Sequence, residues 1–245
     1  MENALIPYSA TTTLPMGEVL VLAPHPDDEV FGCAGAIMQH TAQGQAVHVV
    51  IMTDGQAAMP CQHETYRVAY ITQRQQESLQ AAKILGYGRP IFFDISDRDL
   101  CSSDDLLTQL SDLVESQNIQ YLYAPSIFEI HPDHIALAKI AIELTQRCSN
   151  VQLIMYEVGV PLMPNRLLDL TRLWERKKAA MACFNSQLAL QNYDKHIAGL
   201  NMYRAYTLPQ SVKVAEAYYV ASHNENWQQL IHTCEHFRSN ANILH

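Results

Sequence analysis

Charge is sparse in this chain. Only 17% of its 245 residues are Asp, Glu, Lys or Arg, while 48% are hydrophobic. That balance excludes a self-repelling disordered polypeptide and supplies enough apolar material for a sizeable core. Basic residues are the scarcer sign, 16 Lys and Arg against 25 Asp and Glu, for a formal net charge of −9. No nucleic-acid or anionic-membrane partner is therefore expected through a broad basic surface. No apolar run approaches the roughly 18 residues that cross a bilayer, so no transmembrane segment is expected. Met1 to Gly17 lacks a basic segment followed by a long apolar stretch, and no secretory leader is expected there. Six scattered cysteines form no CxxC pair, which removes a thiolate zinc site and a redox dithiol. A reduced, cytoplasmic enzyme is the simplest reading. There is no GxGxxG, and no glycine-rich loop leads into a Lys-Ser/Thr pair. The Gly32-x-x-Gly35 pair alone keeps a nucleotide-binding α/β module in view as a lesser alternative.

What is present is alternation. Val19–Ala23, Ala46–Thr53, Pro90–Phe93, Ile119–Ala124 and Val151–Glu157 are short apolar runs. They alternate with helical patterns over Val30–Gln43, Tyr66–Leu85, Ser103–Gln117 and Pro132–Arg147. Strand alternating with helix predicts a mostly parallel sheet covered on both faces, a Rossmann-like three-layer α/β sandwich. Residues 1–17 read as an irregular arm, 18–158 as the core and 159–245 as a C-terminal elaboration of the same single domain. Within that elaboration Thr171–Leu190 reads as one long helix, Val212–Val220 as a late strand and Glu225–Arg238 as a final helix. Ala57–Thr65 reads as a loop.

Two motifs carry the chemistry: His25-Pro26-Asp27-Asp28-Glu29 and His131-Pro132-Asp133-His134. Each follows a predicted strand and precedes a predicted helix, so each belongs at a strand's carboxyl end, where open α/β sheets bind ligands. Residues three apart on a first helical turn project from one side. His25 with Asp28, and His131 with His134, can thus each be aimed at one point. Histidine and carboxylate ligands with an open position suit a catalytic zinc. They also suit a 2-His-1-carboxylate iron oxygenase. Either Asp could instead serve only as a helix cap.

These motifs resemble the PIG-L/LmbE-like zinc-dependent de-N-acetylases. The resemblance runs from Ala23-Pro24-His25-Pro26-Asp27-Asp28-Glu29 through Gly35, Thr53-Asp54-Gly55, Arg74-x-x-Glu77 and Leu85-Gly86 to His131-Pro132-Asp133-His134. Weaker likeness continues through Tyr156-Glu157-Val158, Lys177, Asn201-x-Tyr203-Arg204 and Ala215-Glu216. It implies a Rossmann-like sheet and removal of an N-acetyl group from an N-acetylglucosamine-type conjugate. The substrate would be a small molecule or a lipid- or nucleotide-linked amino sugar. The implied metal ligands are His25, Asp28 and His134, holding Zn2+ or, alternatively, Fe2+ or another divalent ion. Asp27 is implied as general base, and His131 as the residue that stabilises the oxyanion or protonates the amine. Asp133 is implied to orient His131. Which of Asp27 and His131 returns the proton stays open.

Further candidates are less specific. Arg74, Asp54, Lys177 and Arg204 are candidate substrate contacts, and the first three have plainer alternatives. Arg74 and Glu77 have the spacing of a surface ion pair. Asp54-Gly55 is a turn signal, and Lys177 belongs to a basic helix face. His232-x-x-x-His236 reads as a solvated helix face. Oligomeric state is open, with a homo-oligomer compatible.

Overall fold

The computed structural model describes residues 10–11, 14–15, 17–58, 63–222 and 225–241. Eight strands form one sheet: β1 (Ala10–Thr11), β2 (Glu18–Ala23), β3 (Val47–Thr53), β4 (Ile91–Ile95), β5 (Ile119–Pro125), β6 (Gln152–Tyr156), β7 (Arg166–Asp169) and β8 (Ala215–Val220). Their spatial order is β1-β7-β8-β6-β5-β2-β3-β4. The block from β4 to β6 is parallel throughout. Only β8 runs antiparallel to its neighbours, between β6 and β7. The core strands are almost continuously apolar and buried, as sheets covered on both faces require. The predicted α/β class is borne out.

The helices are α1 (Asp28–Ala42), α2 (Glu64–Leu85), α3 (Asp104–Ser116), α4 (Pro132–Arg147), α5 (Trp174–Met181), α6 (Asn185–Leu188), α7 (Tyr193–Arg204) and α8 (Trp227–Ala241). One apolar layer joins α1, α2 and α5 to one sheet face; another joins α3, α4 and α8 to the opposite face. Among the described residues no helix is long and apolar enough to cross a membrane. α2 ends where Gly86 takes a left-handed φ of 86°, as its glycine stop predicts.

Two differences from the sequence pattern are informative. The run 171–190 is not one helix: α5 stops at Met181, and α6 starts after Phe184, which is fully buried in the core layer. Burying that ring outweighs helical continuity. The arm is not wholly irregular either, because Ala10–Thr11 pairs in parallel with Leu167–Leu168 of β7. β7 is itself a strand absent from the sequence reading.

Candidate metal centre and active site

Strands β2 and β5 are neighbours, and their connections leave the sheet in opposite directions, towards β3 and β6. This is the topological switch point of an open α/β sheet, and a crevice opens at its carboxyl edge. The two motifs meet there. His25 to Asp27 form the turn between β2 and α1, and His131 caps α4 with Pro132 in its first turn. The prolyl residue lacks an N–H that would be unsatisfied at that position anyway. A cavity of about 330 Å³ is lined by His25, Asp27, Asp28, His131 and His134. Arg74, Asp97, Arg98, Glu129 and Tyr193 share its wall.

Asp28 is the hub. Its Oδ2 lies 3.1 Å from His25 Nδ1 and 3.2 Å from His134 Nε2. Ligand atoms about 2.0–2.2 Å from a tetrahedral ion stand roughly 3.3–3.6 Å apart, only slightly more than these contacts, so the three atoms suit one small divalent cation. Three imidazoles, His25, His131 and His134, also converge, with one donor atom of each within 4.8 Å of the others. The outward nitrogens face carboxylates. His25 Nε2 is 3.1 Å from Asp133 Oδ2 and 3.5 Å from Asp97 Oδ1. His134 Nδ1 is 3.6 Å from Glu129 Oε2. Glu129 is fixed in turn by the N–H groups of Val158, Gly159 and Val160. Carboxylate–histidine pairs of this kind orient metal-ligating imidazoles.

The electrostatics point the same way. Burial opposes a charged His25 ring, yet Asp133, Asp28 and Asp97 more than offset it and hold its pKa well above the ordinary value. Burial raises the Asp28 carboxyl, but the His134 and His25 rings outweigh that and lower it. The pocket therefore draws positive charge into itself, and the residues present fit a divalent ion. Burial also pushes Asp27 well up, against the Arg74 guanidinium beside it. His131 is pushed down by burial and by the neighbouring His25 and His134. Its Nδ1 accepts the Asp133 N–H at 3.3 Å, which assigns the proton of the neutral ring to Nε2.

Asp27 sits under backbone strain. Its φ of 132° with ψ of −31° is rare for a residue bearing a Cβ. Its N–H donates to Glu29 Oε2 at 2.9 Å, and Tyr87 O–H donates to Glu29 Oε1 at 3.2 Å. From α2, Arg74 donates to Asp27 Oδ2 at 3.0 Å, to Pro26 O at 2.6 Å and to Gly55 O at 2.8 Å. Gly55 has φ 64°, and a Cβ there would run into the Arg74 guanidinium.

The remaining candidates separate. Arg74 and Glu77 do not form the surface ion pair that their spacing allows; Glu77 accepts from Ser186 N and Oγ. Asp54 is not on the cavity wall; its Oδ1 accepts the N–H groups of Gln56 and Asp97 and so ties two loops together. Lys177 is not available to a substrate. It is fully buried, and its Nζ donates to Glu216 Oε1 at 2.7 Å and to Phe31 O at 2.8 Å. Arg204 is spent on a bidentate grip of Glu157 and on Leu162 O. Asp133 accepts from His25 and from the Arg98 N–H, and its own N–H caps onto His131. Its carboxylate thus orients His25 rather than His131. His236's side chain lies outside the described residues. Asp97 was missed by the motif reading. Its only sequence signal is its place in a loop just after strand β4.

The fold and this cleft define an α/β protein with a buried histidine–carboxylate cluster at the switch point that could hold a metal ion. The chain belongs to the PIG-L family, described as GlcNAc-PI de-N-acetylase, which matches residues 20–145. It is similar to 4-oxalmesaconate hydratase of Pseudomonas putida, 28% identical over 211 residues, covering 75% of this chain and 79% of that protein. It is also similar to diacetylchitobiose deacetylase of Thermococcus kodakarensis, 26% identical over 129 residues and 51% of this chain. The match spans about half of that protein, 48%. Among solved structures, N,N'-diacetylchitobiose deacetylase from Pyrococcus horikoshii superimposes with a TM-score of 0.73 at 23% identity, covering 84% of each chain. That likeness is one of fold.

Proposed function

We propose that this chain is a divalent-metal-dependent hydrolase that removes the acetyl group from an N-acetylglucosamine-type conjugate. The observation that carries the reading is the meeting of Asp28 Oδ2 with His25 Nδ1 and His134 Nε2, at 3.1 and 3.2 Å, on the wall of the cavity that Asp27 and His131 share. His25, Asp28 and His134 would hold the ion. When bound, it acidifies water and polarises the acyl carbonyl. Asp27, held by Arg74 and raised in pKa by burial, accepts the proton of the attacking water at its carboxylate. His131 offers an Nε2–H to the oxygen on which charge develops. Asp27 then returns its proton to the departing amine, because the His131 ring is disposed to stay neutral. Tyr193 and Phe31 lie on the same wall, their rings stacked 6.1 Å apart, and suit the apolar face of a sugar.

A second reading has its own support. The hydratase relative matches 75% of this chain, more than the family segment 20–145, and Arg98 on the cavity wall suits a carboxylated substrate. The same base and the same ion would then add water to a carbon–carbon double bond. One experiment separates the two. Metal-loaded protein is offered N-acetylglucosaminyl compounds and unsaturated polycarboxylates, with Asp27→Asn as blank. Amine release that depends on Asp27 supports the deacetylase. Loss of the alkene absorbance without amine release replaces it with the hydratase.

A further inference from the structure

We propose that the cleft holds a second divalent-cation site beside the first, formed by Asp97, Asp133 and His131 against the Nε2 edge of His25. The donor atoms of these four residues all lie within 4.8 Å of one another. His25 Nε2 is 3.1 Å from Asp133 Oδ2 and 3.5 Å from Asp97 Oδ1, on the opposite edge of the ring from Asp28. These separations place both carboxylates on one side of the His25 ring, away from the first ion.

Orphaned oxygens supply an independent observation. Asp133 is 1% exposed, and its Oδ1 has no hydrogen-bond partner among the described residues. Asp97 Oδ1 is likewise buried without one. Unpaired carboxylate oxygens in a buried place are costly unless a cation or a donor reaches them. The first ion does not satisfy them, because it is held on the Nδ1 side by Asp28. Arg74 does not either, since its guanidinium is committed to Asp27, Pro26 and Gly55. The His25 ring beside them sets one positive charge against two negative ones, and it reaches Asp133 through Oδ2, so Asp133 Oδ1 stays unpaired.

Two carboxylates with an imidazole suit zinc, manganese or a related transition ion. His131 would bind the ion as a neutral ring, giving up the Asp133 N–H contact at its Nδ1, while His25 keeps its Nε2 proton towards Asp133. A filled second site would thus withdraw His131 from the acyl group, so excess metal would inhibit. That consequence rests on the proposed hydrolysis; the site itself does not.

The test is a count of zinc bound by the intact protein, by equilibrium dialysis and elemental analysis, at limiting and at excess zinc. Wild type is expected to rise from one ion per chain to two. Asp97→Asn, with Asp133→Asn as a second variant should the first misfold, is expected to stop at one. His134→Ala is expected to lose the ion bound at limiting zinc and keep the one bound in excess. A wild-type count that stays at one, or an Asp97→Asn count that still reaches two, overturns the second site and leaves the proposed hydrolase standing. A wild-type count of zero overturns both.

Discussion

Arg74 Nη2 lies 3.0 Å from Asp27 Oδ2, with both side chains at least nine-tenths buried, so the proposed base is gripped by a helix 47 residues away in sequence. The same guanidinium binds the Pro26 and Gly55 carbonyls. It therefore fixes the carboxylate and the loop that carries it together. Arg74→Lys keeps the charge and loses the planar fork. Turnover is expected to fall about 100-fold, the size of effect that a small misplacement of a catalytic group produces. Metal content should be unchanged. Steady-state kinetics with metal analysis would check this, and wild-type turnover in Arg74→Lys would remove the positioning role.

Asp27 stores strain in its backbone, at φ 132° and ψ −31°. Glycine adopts such angles freely and alanine does not. Asp27→Gly and Asp27→Ala both delete the carboxylate and the Arg74 contact, so their difference isolates the backbone. The glycine variant should be the more stable by about 1 kcal/mol. Urea unfolding of the two proteins decides it; equal midpoints would mean that the strain is not there.

Glu129 faces His134 Nδ1 and is anchored by three successive N–H groups of the segment after β6. Glu129→Gln keeps the shape and removes the charge behind the ligand. Zinc affinity should drop about 10- to 100-fold, as it does when outer partners of ligating histidines are lost. Competition with a chromophoric chelator measures it. Unaltered affinity would show that His134 is oriented by α4 alone.

The clustering of His25, Asp27, Asp28, His131 and His134 was legible from the two motifs. Each closes a strand, and β2 and β5 turn out to be sheet neighbours. Local spacing was enough because the strand ends set where the side chains go. The fate of Lys177 was not legible in that way. Its neighbours Arg176 and Lys178 make a basic helix face, and nothing nearby says that the middle residue turns inward. Its partner Glu216 arrives 39 residues later on the one strand that runs against the rest. Asp97 escaped for a related reason: a loop aspartate acquires meaning only from the histidine it meets. The end of α5 was hidden because the buried Phe184 is a tertiary cause.

The Lys177–Glu216 pair reaches into α1 itself. Lys177 binds the Phe31 carbonyl, while Glu216 accepts the Gly35 N–H at 2.9 Å and the Ala36 N–H at 3.3 Å. Phe31 and Gly35 are one helical turn apart, just beyond the turn that carries Asp28. A Cβ at Gly35 would strike both Leu170 and Glu216, so this close approach requires glycine. Lys177→Met leaves the Glu216 carboxylate without its cation in a fully buried place. A loss of about 3 kcal/mol is expected, the cost of breaking a buried pair from one side. Adding Glu216→Gln to it should recover part of that loss. Denaturant unfolding of the single and double variants tests both statements, and a single variant as stable as wild type would contradict the first.

His40 provides a pH-dependent contribution far from the cleft. Its ring is fully buried, held between Gln45 and the Tyr123 hydroxyl, the latter at 3.0 Å from Nε2. Burial holds its pKa below the ordinary value of 6.5. The unfolded chain therefore binds a proton at a higher pH than the folded one does. By linkage, the stability this neutral ring confers is fully present above pH 6.5 and is lost as the pH falls towards the folded-state value. Replacing the ring with a neutral side chain, His40→Gln, should lower stability at neutral pH and flatten its decline over the mildly acidic range. Unfolding midpoints across that range, compared with wild type, read out the slope. Parallel curves for the two proteins would show that some other group titrates there.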